Sequence, residues 1–353
     1  MNHLFHLKED YTPHPMRWWH LPLLLLLIGG TVWVACQNQL TDKNKTDGKE
    51  YHQTQGNVFG TLYHITYDGQ KDLHEGIEAT LKDVDKSLSP FNEHSVITAI
   101  NNNQSDRADE RLKTVFVLAQ KISKVTNGAF DITCAPLVNA WGFGFKNAEK
   151  VDSTTIDSLL QFVGYKKVRL TENKIHKDDP RIMLDCSAIA KGYGVDAVAK
   201  YLEQQGVKNY MVEIGGEVRV QGLNPQRNKW RIGINKPTDD PTSTNGELQE
   251  VLEVSNIAMA TSGNYRNFYE KDNIRYAHTI DPRTGYPVQH SILSATVLAA
   301  DCATADAYAT AFMVMGMEQA IELLVHHPEI QAYLIYSGKK GENKVWKNLD
   351  VDF

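Results

Sequence analysis

Residues 276–287 read YAHTIDPRTGYP, and the rest of the chain is best read outward from them. The run IRYAHTI at 274–280 has the β-branched and aromatic content of a strand, which puts His278 and Ile280 on one face. Asp281-Pro282-Arg283-Thr284-Gly285 then has the chemistry of a turn, with Pro fixing φ and Gly relieving strain. A histidine at a strand end beside such a turn can meet a substrate, and its ordinary pKa suits proton transfer near neutrality. A lone His is most often structural. Here His, Asp, Arg and Thr are packed densely with Pro and Gly, which makes the pattern specific. Arg283 reads as a salt bridge bracing the turn as readily as a phosphate contact.

Around this unit, strands and helices are unevenly mixed. Strand patterns cover 58–67, 209–220 (NYMVEIGGEVRV, bent or split at Gly215-Gly216), 229–235, 250–261, 292–299 and 330–336. Apolar periodicity predicts helices over 72–89, 110–126, 186–205 and 304–325, the last with a break at Gly316. Without a regular βαβ alternation, the pattern favours α+β over a doubly wound sheet.

Three further segments carry chemistry. The first, DITCAPLVNAWGFG at 131–144, follows Gly128-Ala129-Phe130 and reads first as a packed aromatic turn, then as an apolar wall for a flat ring. In DCSAIAKGYGVDA at 185–197, Asp185 or Ser187 can cap a helix whose N-terminus, with Lys191, suits an anion; an ordinary capped helix with a solvated Lys is the alternative. In DCATADAYATAFMVMG at 301–316, Asp306 and Thr310 are four apart on one helical face. These are hard oxygen donors suited to Mg²⁺, with Asp301 as the competing carboxylate. There is no phosphate loop of the G-x-x-x-x-G-K-[ST] type, no G-x-G-x-x-G after a strand, no HExxH and no nucleophile elbow.

The 353 residues are 42% hydrophobic and 23% charged, a globular composition that excludes a wholly disordered chain or a multi-span membrane protein. With 37 basic and 43 acidic side chains the formal charge is -6, so no basic excess points to nucleic acid. LPLLLLLIGGTVWVA at 21–35, followed by Cys36, resembles a bacterial lipoprotein signal with Cys36 as the lipidated residue; an uncleaved anchor helix is the alternative. Residues 36–55 are polar and read as a flexible tether, leaving 56–353 as the folded part. Both readings predict an exported chain tethered to a bacterial membrane, facing the periplasm or the cell exterior. Cys134, Cys186 and Cys302 remain, an odd number that argues for buried thiols instead of a disulfide framework.

Taken together, the ordered segments resemble the ApbE family, the FAD:protein FMN transferases, over roughly residues 56 to 336. The match runs through Gly60-Thr61, Ser89-Pro90-Phe91, Gly128 to Asp131, Asp185 to Gly192, Gly215-Gly216, Thr261-Ser262-Gly263, the His278 to Pro287 motif and the Ala305-Asp306-Ala307 helix. The resemblance implies one α+β catalytic unit, with a mixed, largely antiparallel sheet and packed helices, that binds FAD as substrate together with Mg²⁺. It implies transfer of FMN to a Thr or Ser hydroxyl of an exported flavoprotein, such as a respiratory redox-pump subunit, with release of AMP. By position, His278 is the expected base, and Ala188 (through its carbonyl), Asp306 and Thr310 the expected metal ligands. Phe59, Phe91, Ala129, Phe130, Asp131, Asp185, Lys191, Gly215, Gly216, Thr261, Ser262, Ile280 and Asp281 are the expected flavin-nucleotide residues. Phe59 stands where many members have Met, and Phe91 where many have Tyr. The same residues leave open an FAD pyrophosphatase using water, or a flavin-binding lipoprotein without catalysis.

Overall fold

The computed structural model describes residues 50–144, 151–237, 247–263, 268–271, 274–277, 279–338 and 342–350, with the backbone alone for 268–271 and 274–277. The residues read above as a signal peptide, Cys36, the first part of the segment read as a tether, and His278 lie outside the described residues.

The frame is an eight-stranded sheet in which every neighbouring pair is antiparallel. Its strands, in spatial order, are β1 (Glu50–Val58), β2 (Thr61–Gly69), β5 (Tyr210–Ile214), β6 (Glu217–Gln221), β9 (Ile257–Gly263), β12 (Ile292–Ala299), β13 (Gln331–Ser337) and β14 (Asn343–Lys347). The α+β expectation holds, as does that of a largely antiparallel sheet: all neighbouring pairs of the main sheet run antiparallel. Residues 50–55, assigned above to the tether, belong to β1. Its sequence EYHQTQ lacks aliphatic residues because an edge strand needs few: its partner β2 supplies the buried Tyr63, Ile65 and Tyr67.

Both sheet faces are covered. On one lie α1 (His74–Leu88), α6 (Ala190–Gln204) and α7 (Cys302–His326). Ile77 and Leu81 of α1 and Val195, Val198 and Leu202 of α6 pack on Tyr63, Ile65, Tyr210, Val212 and Ile214. Phe312 and Met313 of α7 join Val297 and Leu334 in a second cluster, which α3 (Glu110–Val125) completes with Leu112, Val115 and Phe116. On the other face the β7 (Trp230–Asn235) and β8 (Leu248–Val254) hairpin lays Trp230, Ile232 and Leu252 over Val218, Val220 and Met259. The strand expected over 250–261 is therefore two strands, split at Asn256, where φ is 57°. Short elements without strong periodicity were not foreseen: α2 (Val96–Asn101), α4 (Ala135–Ala140), α5 (Ser153–Leu160), the β3 (Val168–Thr171) and β4 (Lys174–Lys177) hairpin, and β10 (Phe268–Lys271), which pairs with β11 (Ile274–Ala277).

The helix predicted from residue 186 starts at Ala190, and neither Asp185 nor Ser187 caps it. Asp185 instead accepts the Ser187 N–H at 2.8 Å, a turn just ahead of the helix. The predicted break in α7 is present, with Gly316 at φ 78°, ψ 174°.

Candidate functional site

Because successive strands are antiparallel, the β1–β2 turn, the β5–β6 turn and the β9–β12 connection emerge at one end of the sheet. A cavity of about 900 Å³ opens there. It is lined by Phe59, Phe91, Ala129, Phe130, Asp131, Asp185, Ala188, Lys191, Gly215, Gly216, Thr261, Ser262, Ile280, Asp306 and Thr310. Every flavin and metal candidate from the sequence thus meets in one place except Asp281, which is off the wall.

The turns that build the wall are strained or glycine-dependent. Phe59 and Gly60 have φ of 50° and 74°, as a tight hairpin turn requires. For a phenylalanine this left-handed conformation costs about 1–2 kcal/mol. Gly194 faces the Phe59 ring, where a Cβ would approach Cε2 to 2.7 Å. Across the sheet, Gly215 and Gly216 have φ of 61° and 104°. Their turn is braced by the Gly216 N–H donating to Glu213 Oε1 at 2.7 Å, while Glu213 Oε2 meets His64 Nδ1 at 2.8 Å. That carboxylate holds the His64 pKa above its ordinary value.

Two acidic candidates are occupied by local structure. Asp131 accepts the Thr133 N–H and hydroxyl at 2.8 and 2.7 Å and the Tyr165 N–H at 2.6 Å, so it fixes the 131–165 loop contact behind the wall. Asp281 is bound bidentately by Arg283, both contacts at 2.9 Å, so the salt-bridge reading of Arg283 is the one the structure bears. The turn is completed by Gly285 N–H to Asp281 O at 2.8 Å and by Trp141 Nε1 to Gly285 O at 2.8 Å. Ile280 and Pro282 remain on the cavity side of the motif.

At the floor, Asp306 is 2% exposed. Its Oδ2 accepts the Gly192 N–H at 3.0 Å, so it caps the first turn of α6 from a different helix and takes the place expected of Asp185 or Ser187. Such close approach needs Gly192: a Cβ there would stand 2.7 Å from Cys302 C and 2.9 Å from Ala303 Cα. Asp301, the competing ligand candidate, caps α7 through the Thr304 N–H at 2.8 Å. Thr310 Oγ1 is 3.2 Å from Ser262 Oγ, one helical turn beyond Asp306. Lys191 pairs with Glu217 and lies 4.0 Å from Asp306 Oδ1. Burial alone would lower the Lys191 pKa; Asp306 and Glu217 outweigh it and hold the ammonium charged. Glu217, 2% exposed, was missed from sequence, where a Glu after a glycine turn looks solvent-facing.

No group of three or more His, Cys, Asp or Glu side chains among the described residues could hold a metal by itself. Beside the Lys191-paired Glu217, the floor offers the Asp306 carboxylate, the Ser262 and Thr310 hydroxyls and the Ala188 backbone carbonyl position. That set suits a hard cation such as Mg²⁺, whose remaining shell comes from substrate phosphates and water.

The ApbE family model matches residues 59–334. The chain belongs to the ApbE family. Among ApbE relatives, the FAD:protein FMN transferase of Vibrio cholerae serotype O1 is 40% identical over 277 residues, covering 75% of this chain and 82% of the relative. That of Haemophilus influenzae is 39% identical over 336 residues, covering 89% and 94%. The solved flavin transferase ApbE from Vibrio cholerae superposes with a TM-score of 0.77 at 35% identity, covering 85% of this chain and 97% of that one. The apo flavinyl transferase ApbE of Pseudomonas stutzeri gives 0.76 at 29% identity, covering 85% and 95%.

Proposed function

We propose that the chain transfers FMN from FAD to a Thr or Ser hydroxyl of an exported protein, releasing AMP. The observation that carries this reading is the single cavity that gathers the flavin and metal candidates from eight separate segments of an ApbE-family chain. Phe59, Phe130 and Ile280 supply apolar surface for a flat ring, and the Gly215-Gly216 turn admits the nucleotide backbone closely. The start of α6 and Lys191 place positive charge on the same floor as the hydroxyls of Ser262 and Thr310. In this reading Asp306, Thr310 and the Ala188 carbonyl hold Mg²⁺, which neutralises pyrophosphate charge and helps the leaving group.

His278 is assigned the base role, next in the chain to Thr279 and Ile280 on the cavity wall. The acceptor oxygen forms a bond to the FMN phosphorus as its proton passes to His278. The phosphorus–oxygen bond to AMP breaks, and its electron pair leaves with AMP. Residues 1–35 act as a lipoprotein signal, Cys36 carries the lipid, and residues up to 49 tether the enzyme to the membrane with the cavity facing an exported partner. The test incubates the chain with FAD, Mg²⁺ and candidate exported flavoprotein subunits. A flavin-fluorescent acceptor band that survives a denaturing gel is expected. Steady release of FMN and AMP at a rate that acceptor does not change would establish a pyrophosphatase instead.

A further inference from the structure

Glu217 opens β6 on the helix-covered face of the sheet, directly after the Gly215-Gly216 turn. It is 2% exposed, lines the cavity, and one of its oxygens, Oε2, has no hydrogen-bond partner among the described residues. A buried carboxylate with an unsatisfied oxygen is costly, and such groups persist where they serve a site. Its other oxygen holds the Lys191 ammonium, which would otherwise have Asp306 as its carboxylate partner. The spacing is asymmetric: Lys191 is in contact with Glu217 but 4.0 Å from Asp306 Oδ1.

We infer that Glu217 is a positioning residue which draws Lys191 aside and so keeps Asp306 open to a divalent cation. This rests on the reading of Asp306 as a cation ligand. If Glu217 is neutralised, the ammonium turns to Asp306 and closes to ordinary ion-pair distance, about 2.8 Å. It then competes with the cation for Oδ1. Glu217 touches neither the metal nor the flavin in this account. It acts through Lys191.

The experiment titrates Mn²⁺, a paramagnetic stand-in for Mg²⁺, into the purified full chain and counts free ion by electron paramagnetic resonance, with no flavin present. Glu217→Gln should weaken Mn²⁺ binding about tenfold or more, the scale seen when groups that support a metal ligand are removed. Adding Lys191→Met to that variant should return most of the affinity, because the competitor is gone. Glu217→Gln binding like wild type overturns the inference. A double variant as weak as Glu217→Gln also overturns it, because Glu217 would then be a ligand itself. Asp306→Ala probes the underlying reading separately and should abolish binding. If Asp306→Ala binds as wild type does, the ligand reading fails and the inference with it.

Discussion

Gly192→Ala separates two opposed effects. Helix propensity alone favours alanine over glycine by about 1 kcal/mol. The packing opposes it, because the new Cβ would meet backbone, 2.7 Å from Cys302 C and 2.9 Å from Ala303 Cα. The Cys302 carbonyl oxygen is nearer still and backbone cannot rotate away, so α6 and α7 must part by about 1 Å to reach ordinary contact. The Gly192 N–H bond to Asp306, now 3.0 Å, would then stretch to about 4 Å, outside hydrogen-bond range. Overpacking of this kind costs roughly 1–3 kcal/mol, and a bond to a charged group about 1.5–3 kcal/mol. After the propensity gain, a net loss of about 2 kcal/mol or more is expected. Equilibrium urea denaturation reads it as a lower midpoint with an unchanged slope. A Gly192→Ala chain as stable as wild type, or more so, would refute the packing argument.

Three other outcomes follow from the geometry. His278→Ala should keep FAD binding, measured by flavin fluorescence quenching, while transfer slows about a hundredfold or more; normal transfer would remove His278 from the base role. Glu213 raises the His64 pKa above 6.5, so the stability this pair adds is complete below 6.5 and is lost as pH rises through the raised value. The urea-midpoint gap between wild type and His64→Gln should therefore shrink from pH 5 to pH 9, and a constant gap would contradict it. Cys134 lines the cavity half-buried, correcting its reading as a buried thiol, whereas Cys186 and Cys302 are buried. Burial, with Asp185 and Asp131 nearby, raises the Cys134 pKa, so alkylation should be slow at neutral pH and quicken in alkali. FAD should protect Cys134 from the reagent, and equal labelling with and without FAD would place the nucleotide elsewhere.

Much of this site was legible because its residues sit in short, punctuated segments. Glycine pairs, the Asp-Pro-x-Thr-Gly turn and the spacing of Asp306 and Thr310 announce backbone geometry directly, and the long amphipathic helices follow their periodicity. What stayed hidden depends on contacts between distant segments. The cap of α6 comes from Asp306, 114 residues away from the N–H it accepts, so local cap rules pointed to Asp185 and Ser187 instead. Glu217 and Arg219 alternate with Val218 and Val220 like a half-solvated strand. Both sheet faces are covered, so these charges turn inward and need Lys191 and Asp196 as partners. Asp131 lines the cavity yet accepts bonds from Thr133 and the distant Tyr165 N–H, and Asp281 is held by Arg283 of its own turn. Segment resemblance alone does not resolve which way such a carboxylate points.

The strands of the main sheet occur in space in the order in which they occur along the chain. Each excursion therefore leaves an edge and returns beside it, and the frame grows by accretion. The largest excursion separates β2 from β5, whose ladder joins Tyr67 to Tyr210. Closing so long a loop carries an entropic cost before any pairing repays it. The helices and small hairpin between them must therefore collapse first and deliver β5 to its neighbour. The Gly215-Gly216 turn and Glu217 follow β5 directly, so the ligand pocket is completed late in folding. A chain of this design completes its cavity only once the excursion has docked, and a flavin nucleotide present at that moment would favour the closed sheet by mass action.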